Sequence, residues 1–148
     1  MRYYLGFLIV LTVGCGGPDS QDSLTIQGTW RLLSGTTIQG TDTTVTDYTR
    51  DQKVLKIINQ THFAFIRHDL SKGKDSTNSI FVAGAGAYSL QGNKYTENLE
   101  FCSYRPWEGN NFSFEMEFNH DTLVQTGIEK IEELGVDQII IERYVRNK

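Results

Sequence analysis

Apolar and polar residues alternate along most of the chain, and the alternation recurs in segments of strand length. Such period-two patterns are typical of half-buried β-strands. Eight of these segments follow Leu24, separated by clusters of Gly, Asn, Asp and Ser. The predicted strands span residues 28–34, 53–59, 62–69, 79–90, 94–104, 111–119, 122–128 and 138–146.

The joints between these segments predict how the strands are connected. Short turns rich in Asn, Gln, Asp and Gly at residues 59–61, 91–93 and 119–121 favour sequential hairpins. Eight strands in an up-and-down antiparallel order close into a barrel, because closure removes the exposed edges. Residues 35–52 are predicted as a long loop or lid over the open end, and residues 128–134 as a single helical turn before a glycine.

The N-terminus is predicted to be a targeting segment and not part of the barrel. Arg2 precedes a short apolar run over residues 5–13, which has the length of a secretory signal core. Thr12-Val13-Gly14-Cys15 resembles a bacterial lipoprotein box, in which the cysteine is lipidated and begins the mature chain. We therefore expect a lipoprotein signal peptide over residues 1–14 and a flexible tether over residues 15–25, with Cys15 lipidated.

Composition narrows the class of protein further. The remaining residues, 26–148, suffice for one domain with its own core. The net charge is -4, and loss of Arg2 with the signal leaves 13 basic and 18 acidic side chains. Since nucleic-acid binding needs a basic patch and the chain has no Lys/Arg cluster, we expect no nucleic-acid partner. With Cys15 acylated, Cys102 has no cysteine partner, so no internal disulfide is expected.

The start of the first strand resembles a known barrel family. Gly28-Thr29-Trp30 is similar to the entry strand of lipocalins, whose Trp plugs the closed barrel end beneath an Arg of the last strand. That resemblance implies a structural role for Trp30 and for Arg143 or Arg146. Residues 56–69, 83–90 and 94–101 resemble the lipocalin-like domain family of secreted bacterial lipoproteins. Tyr144 departs from the expected Trp, and the resemblance implies a fold far more firmly than a function.

Strand periodicity also predicts which side chains face the barrel interior. In the strand 62–69 the two phenylalanines share a face with an arginine, and the same reasoning applies to the neighbouring strands. The side chains predicted to line an internal cavity are Phe63, Phe65, Arg67, Tyr88, Tyr95, Glu97, Phe112 and Phe114.

Two interpretations of this interior stay open. An eight-stranded barrel encloses enough space either for its own side chains or for one small ligand. Arg67 is either tied to Glu97 and Tyr95 in a buried ion pair, or it holds the carboxylate head of an acyl ligand together with Tyr95. The second arrangement resembles intracellular fatty-acid-binding barrels. A free arginine needs an anionic ligand, whereas an arginine paired with Glu97 does not.

Catalytic chemistry has no support in the sequence. His62 and His68 are six residues apart on one strand, about 20 Å, too far to share a metal. No nucleophile, zinc or phosphate-loop motif occurs. We expect no enzyme activity, no cofactor and no metal.

The sequence predicts a lipid-anchored, lipocalin-like β-barrel of the cell envelope, placed at the outer membrane through Cys15. Its expected function is to bind a small hydrophobic or amphipathic ligand inside the barrel, and acyl compounds are one expected class of ligand. The alternative is a non-catalytic interaction protein with a filled barrel, acting through its outer surface and the 35–52 loop on an unknown protein partner.

Overall fold

The structure is a computed structural model that describes residues 25–148. The predicted signal peptide, Cys15 and all but the last residue of the predicted tether lie outside the described residues. Within residues 25–148, no helix is long and apolar enough to cross a membrane. These described residues form two 3₁₀ helices, Arg105–Trp107 and Glu132–Leu134. The strands are β1 Gly28–Gln39, β2 Asp42–Asp47, β3 Gln52–Ile58, β4 His62–Asp69, β5 Phe81–Gln91, β6 Lys94–Cys102, β7 Asn111–Asn119, β8 Thr122–Ile131 and β9 Val136–Arg146.

Eight of the nine strands close into an antiparallel barrel. β1 pairs with β3 through its first four residues and with β9 along most of its length, and each remaining strand pairs with its sequence neighbour from β3 to β9. The predicted all-β, up-and-down barrel is therefore confirmed. A β-bulge between Leu32 and Ser34 bends β1 where it leaves β3.

The ninth strand corrects one prediction. Residues 35–52 are not a loop, because β1 continues to Gln39 and turns back into β2, which pairs with Ser34–Gln39. Alternating Thr, Val and Ile supply the β-branched residues that strands favour, and Gly40 takes the positive φ of the turn at 58°. The hairpin extends β1 beyond its contact with β3.

The predicted helical turn at residues 128–134 is also wrong over its first half. β8 continues to Ile131 in register with β9, and only Glu132–Leu134 form a 3₁₀ helix. Gly135 ends that helix in the left-handed conformation, with φ at 64°. The connection between β8 and β9 is therefore a short turn at the rim of the barrel.

The end of the barrel where β1 begins is filled by Trp30. Its side chain is completely buried, and its indole N–H donates to the Ile26 carbonyl at 2.7 Å. The guanidinium of Arg146 lies 4.2 Å from the Trp30 ring centroid and donates to the carbonyls of Gln27 and Thr25 at 2.9 Å. Arg143 is exposed on the outer surface. Of the two arginines left open by the sequence, Arg146 covers the tryptophan.

A cluster of large side chains continues the filling from this end of the barrel. Phe63 and Leu123 are buried beside Trp30 in the same cluster, and the inward face of β7 adds Phe112, Phe114 and Met116. The alternation of β7 places its glutamates outward, as the sequence predicts. Among the described residues, a cavity lies toward the opposite end, where β1 pairs with β2.

A candidate ligand cavity at the open end of the barrel

A cavity of about 520 Å³ occupies the half of the barrel opposite Trp30. This volume lies within the range of roughly 300–1,000 Å³ found for small-molecule sites. Apolar and aromatic side chains form most of its wall, and they include Leu32, Val54, Phe65, Val82, Trp107, Phe114 and Ile140. A ligand in this space would meet a largely apolar surface with a small number of charged groups.

A buried ion pair forms the floor of the cavity. Lys56 projects inward from β3 between the inward-facing Val54 and Ile58, and its ammonium lies 2.5 Å from a Glu97 carboxylate oxygen. It also donates to the Gln125 amide oxygen at 2.5 Å. The side chains of Lys56 and Glu97 are only 4% and 8% exposed. A charge this well buried needs such partners, because desolvation would otherwise drive it to its neutral form.

Aromatic rings complete the environment of the ammonium group. Four ring centroids lie between 5.1 and 5.9 Å from Lys56 Nζ. Each is within cation–π distance, which stabilises a desolvated cation further. The rings belong to Phe63, Tyr95, Phe114 and Tyr144.

The predicted pairing of Arg67 with Glu97 and Tyr95 is wrong. Arg67 lies near the rim, where its Nε donates to the Gln52 side-chain oxygen at 2.8 Å and its guanidinium lies 5.2 Å from the ring centroid of Tyr48. Lys56 takes the position beside Glu97 instead. Both partners of Arg67 are neutral, so its charge is not balanced by a carboxylate within the described part of the chain.

Two further carboxylates face the cavity from the wall across from Arg67. Glu129 of β8 accepts a hydrogen bond from Gln138 at 2.7 Å, and burial raises its pKa to about 7, helped by the charges of Glu142 and Glu97. Glu142 of β9 accepts from the Tyr144 hydroxyl at 2.6 Å. Burial raises the pKa of Glu142 as well, although the nearby Lys56 opposes that rise. The charge on this wall therefore responds to pH near neutrality.

Half of the predicted cavity residues line the cavity and half belong to the packing around it. The predicted residues that line it are Phe65, Arg67, Glu97 and Phe114. The predicted residues that pack elsewhere are Phe63, Tyr88, Tyr95 and Phe112.

Tyr95 is completely buried and its hydroxyl has no hydrogen-bond partner. Burial raises its pKa, and the negative charge of Glu97 adds to the rise, so the phenol stays neutral. Its ring lies 5.1 Å from that of Tyr88, whose hydroxyl donates to the Asn59 carbonyl at 2.8 Å. The two tyrosines therefore belong to the packed part of the barrel, below the cavity.

Sequence reasoning missed several polar residues of the cavity. The inward position of Lys56 could have been predicted, because it stands between Val54 and Ile58 on the inward face of a strand. Tyr48 lay in the segment predicted as a loop, and Glu129 lay in the predicted helical turn, so neither was placed on a strand face. The missed polar residues also include Tyr104, Gln125 and Glu142.

Among residues 25–148, no group of three or more His, Cys, Asp and Glu side chains is placed to hold a metal ion. Cys102 is a free thiol at the cavity wall and is buried. No protein-family model matches the chain, and no curated protein matches it.

Proposed function

We propose that this protein binds a small amphipathic ligand inside the open half of its barrel. The observation that carries the proposal is the cavity of about 520 Å³ above the buried Lys56–Glu97 pair. Small-molecule sites combine an apolar wall with a few fixed polar groups, and this cavity has both. The lipocalin-like resemblance of residues 56–69, 83–90 and 94–101 agrees with such a role, and membership of that family is part of the proposal.

The apolar part of the ligand would lie against Phe65, Phe114 and Trp107. The Trp107 ring is held by its contact with Phe112, at a centroid distance of 5.7 Å. A ring fixed by such a contact loses little conformational freedom on binding, which favours affinity. Burial of apolar surface would supply most of the free energy of binding.

The polar end of the ligand would be an anionic group bound by Arg67. Lys56 is already neutralised by Glu97, whereas Arg67 has only neutral partners, Gln52 and Tyr48. Its guanidinium can therefore donate hydrogen bonds to a ligand carboxylate without breaking an existing ion pair. The carboxylates of Glu129 and Glu142 repel an anion from the opposite wall, so they favour this orientation of the ligand.

The cellular setting is proposed from the sequence alone. Lipidation of Cys15 after removal of residues 1–14 would anchor the barrel to a membrane of the cell envelope, with the outer membrane as the expected location. Cys15 lies outside the described residues. The intact mass of the membrane-extracted protein tests this point, because acylation adds a defined mass to a chain that begins at Cys15.

Native mass spectrometry tests the binding proposal directly. Residues 16–148 contain every barrel contact described above, so this chain can be purified without a detergent that would compete for the cavity. A ligand bound at one per chain is expected in the wild type and in Arg50→Ala, and it should be lost in Arg67→Ala. Arg50 is the matched control, because its side chain is 83% exposed and it pairs with Asp47 on the outside.

A second measurement covers the case in which the ligand is lost during purification. Dodecanoate is titrated into the same three proteins and followed by calorimetry. Binding by the wild type and by Arg50→Ala, weakened at least tenfold in Arg67→Ala, supports the proposal. No adduct together with no dodecanoate binding overturns it, and would favour the alternative of an interaction protein acting through its outer surface and the β1–β2 hairpin.

A further inference from the structure

The outer surface of the barrel carries an apolar patch across β3 to β6. The patch consists of Ile57, Ala64, Ile66, Phe81, Ala83, Ala85 and Phe101, all of which point away from the core. Its two phenylalanines are 69% and 64% exposed, and its two isoleucines are 41% and 37% exposed. Contiguous apolar surface of this kind marks interaction sites on proteins that otherwise cover themselves with polar groups.

Strand register makes the patch continuous. Ile57 pairs with Ala64, Ala64 with Ala85, and Ala85 with Phe101, which forms one row across four strands. Ile66 and Ala83 form the neighbouring row toward the open end of the barrel. The alanines are small, so the larger side chains stand above a flat floor.

The exposure of Phe101 follows from a backbone irregularity. The pairing of β5 with β6 shifts between Ala85 and Gly86, so Phe101 follows an extra residue and points outward. Gly86 permits this close approach, because a Cβ on it would lie 1.8 Å from the Asn98 carbonyl oxygen. The interior beneath is filled by Phe63 and Leu99, which are buried. Nothing in the core therefore requires a phenylalanine on the outer face.

Charge is distributed unevenly around the patch. Arg31 is exposed on β1 opposite Leu55, beside the Ile66 row, and Lys53 pairs with His68 next to Phe81. Glu100 lies at the far edge, where its carboxylate accepts from the Ala87 N–H at 3.0 Å. The exposed glutamates of β7, Glu115 and Glu117, face another side of the barrel. The patch is thus the part of an acidic protein that an anionic surface can approach.

We propose that this patch rests on the lipid bilayer that carries the Cys15 anchor, with anionic headgroups bound by Arg31 and Lys53. The inference rests on the proposed anchor. Ten peptide units separate Cys15 from Thr25, so the barrel stays within about 35 Å of the anchor point. This short tether keeps the effective concentration of lipid at the barrel surface high. A contact too weak to bind a free protein to the bilayer is therefore sufficient to orient an anchored one.

The size of the patch favours a bilayer over a second copy of the chain. Its four large side chains, at the exposures given above, present on the order of 400 Å² of apolar surface. A stable protein–protein interface buries about 800 Å² on each partner. A bilayer has no such requirement, because it deforms around the phenylalanines and supplies anionic groups for the basic rim.

The test compares two faces of the same anchored protein. Spin labels are attached to Ala83→Cys in the patch and to Glu117→Cys on β7, both with Cys102→Ala, in acylated full-length protein whose intact mass has been checked. In vesicles with one-third phosphatidylglycerol, we expect the label at 83 to become accessible to oxygen and shielded from a water-soluble nickel complex. The label at 117 is expected to stay accessible to nickel.

Two results of this experiment overturn the inference. Nickel accessibility at 83 equal to that at 117 overturns it. Shielding at 83 in detergent solution, with dipolar broadening between labels, shows self-association and also overturns it.

A chain without acyl groups refutes the anchor alone. In that case, flotation of the unanchored chain with the same vesicles decides the patch proposal. The wild-type chain should partition at least tenfold more strongly than the Phe81→Ser/Phe101→Ser variant. Equal partitioning of these two proteins would overturn it.

Discussion

Substitution of Glu129 by Gln is expected to stabilise the protein above neutral pH. The carboxylate faces the cavity and accepts one hydrogen bond from Gln138, and no cation pairs with it within the described residues. Glutamine has nearly the same shape, and its amide oxygen can accept the same hydrogen bond. The variant therefore removes the charge and leaves the packing in place.

The pKa of Glu129 gives the size of the expected change in stability. It rises from the ordinary 4.5 to about 7 in the folded protein, because burial disfavours the ionised form. The folded state then holds a proton that the unfolded state has lost, so stability falls as pH rises from 4.5 to 7 and stays level above. At about 1.36 kcal/mol for each pKa unit, the full loss is about 3 kcal/mol. Water at the cavity mouth screens part of this charge, which brings the expected loss to about 2 kcal/mol.

Urea unfolding of residues 16–148 at pH 5 and pH 8 measures this loss. Between the two pH values the wild type should lose about 1–1.5 kcal/mol more unfolding free energy than Glu129→Gln, because part of the Glu129 loss has already occurred at pH 5. Some slope remains in the variant, because burial also raises the pKa of Glu142. Glu133→Gln is the control, since it removes the same charge from an exposed position. Equal pH dependence in the wild type and Glu129→Gln would refute the reasoning.

Three further sets of variants test the packing. Lys56→Met should cost about 3–5 kcal/mol in urea unfolding by leaving Glu97 unpaired, and Lys56→Met/Glu97→Gln should recover most of that loss; an additive double variant would contradict the ion pair. Arg146→Ala should cost about 2 kcal/mol, with Arg143→Ala within about 0.5 kcal/mol of the wild type by thermal unfolding; equal effects would contradict the assigned cover of the tryptophan. Gly86→Ala should cost about 3 kcal/mol or prevent folding, because its Cβ meets the backbone of β6; normal stability by circular dichroism would contradict this geometry.

The barrel could be predicted because the patterns that define it lie within single strands and turns. Period-two alternation identifies inward faces strand by strand, and turns such as 91–93 fix the hairpin order without any knowledge of distant contacts. The prediction stopped where alternation was weak. The β1–β2 hairpin consists largely of Thr, Asp and Gly, which are typical of loops as well as of exposed strands.

The contacts inside the barrel could not be predicted in the same way. Alternation places Lys56, Arg67 and Glu97 on inward faces, but it does not tell how far along the tilted barrel each side chain lies. Lys56 and Gln125, 69 residues apart, meet only because the strands are staggered. The alternation therefore predicted Glu97 as a carboxylate partner for an inward Arg67, whereas Glu97 pairs with Lys56.

The polar floor of the cavity is difficult to explain by stability alone. Replacing a buried ion pair by apolar residues of similar volume is often neutral or stabilising, so Lys56, Glu97 and Gln125 add little that Leu or Phe would not. The closed half of the same barrel is filled in that apolar way, with Trp30, Phe63 and Leu123. The ion pair lies where the packing stops and the cavity begins. A fold that can fill one half with apolar side chains, and places fixed charges beneath a cavity in the other, has the arrangement expected of a site that orients an amphipathic ligand.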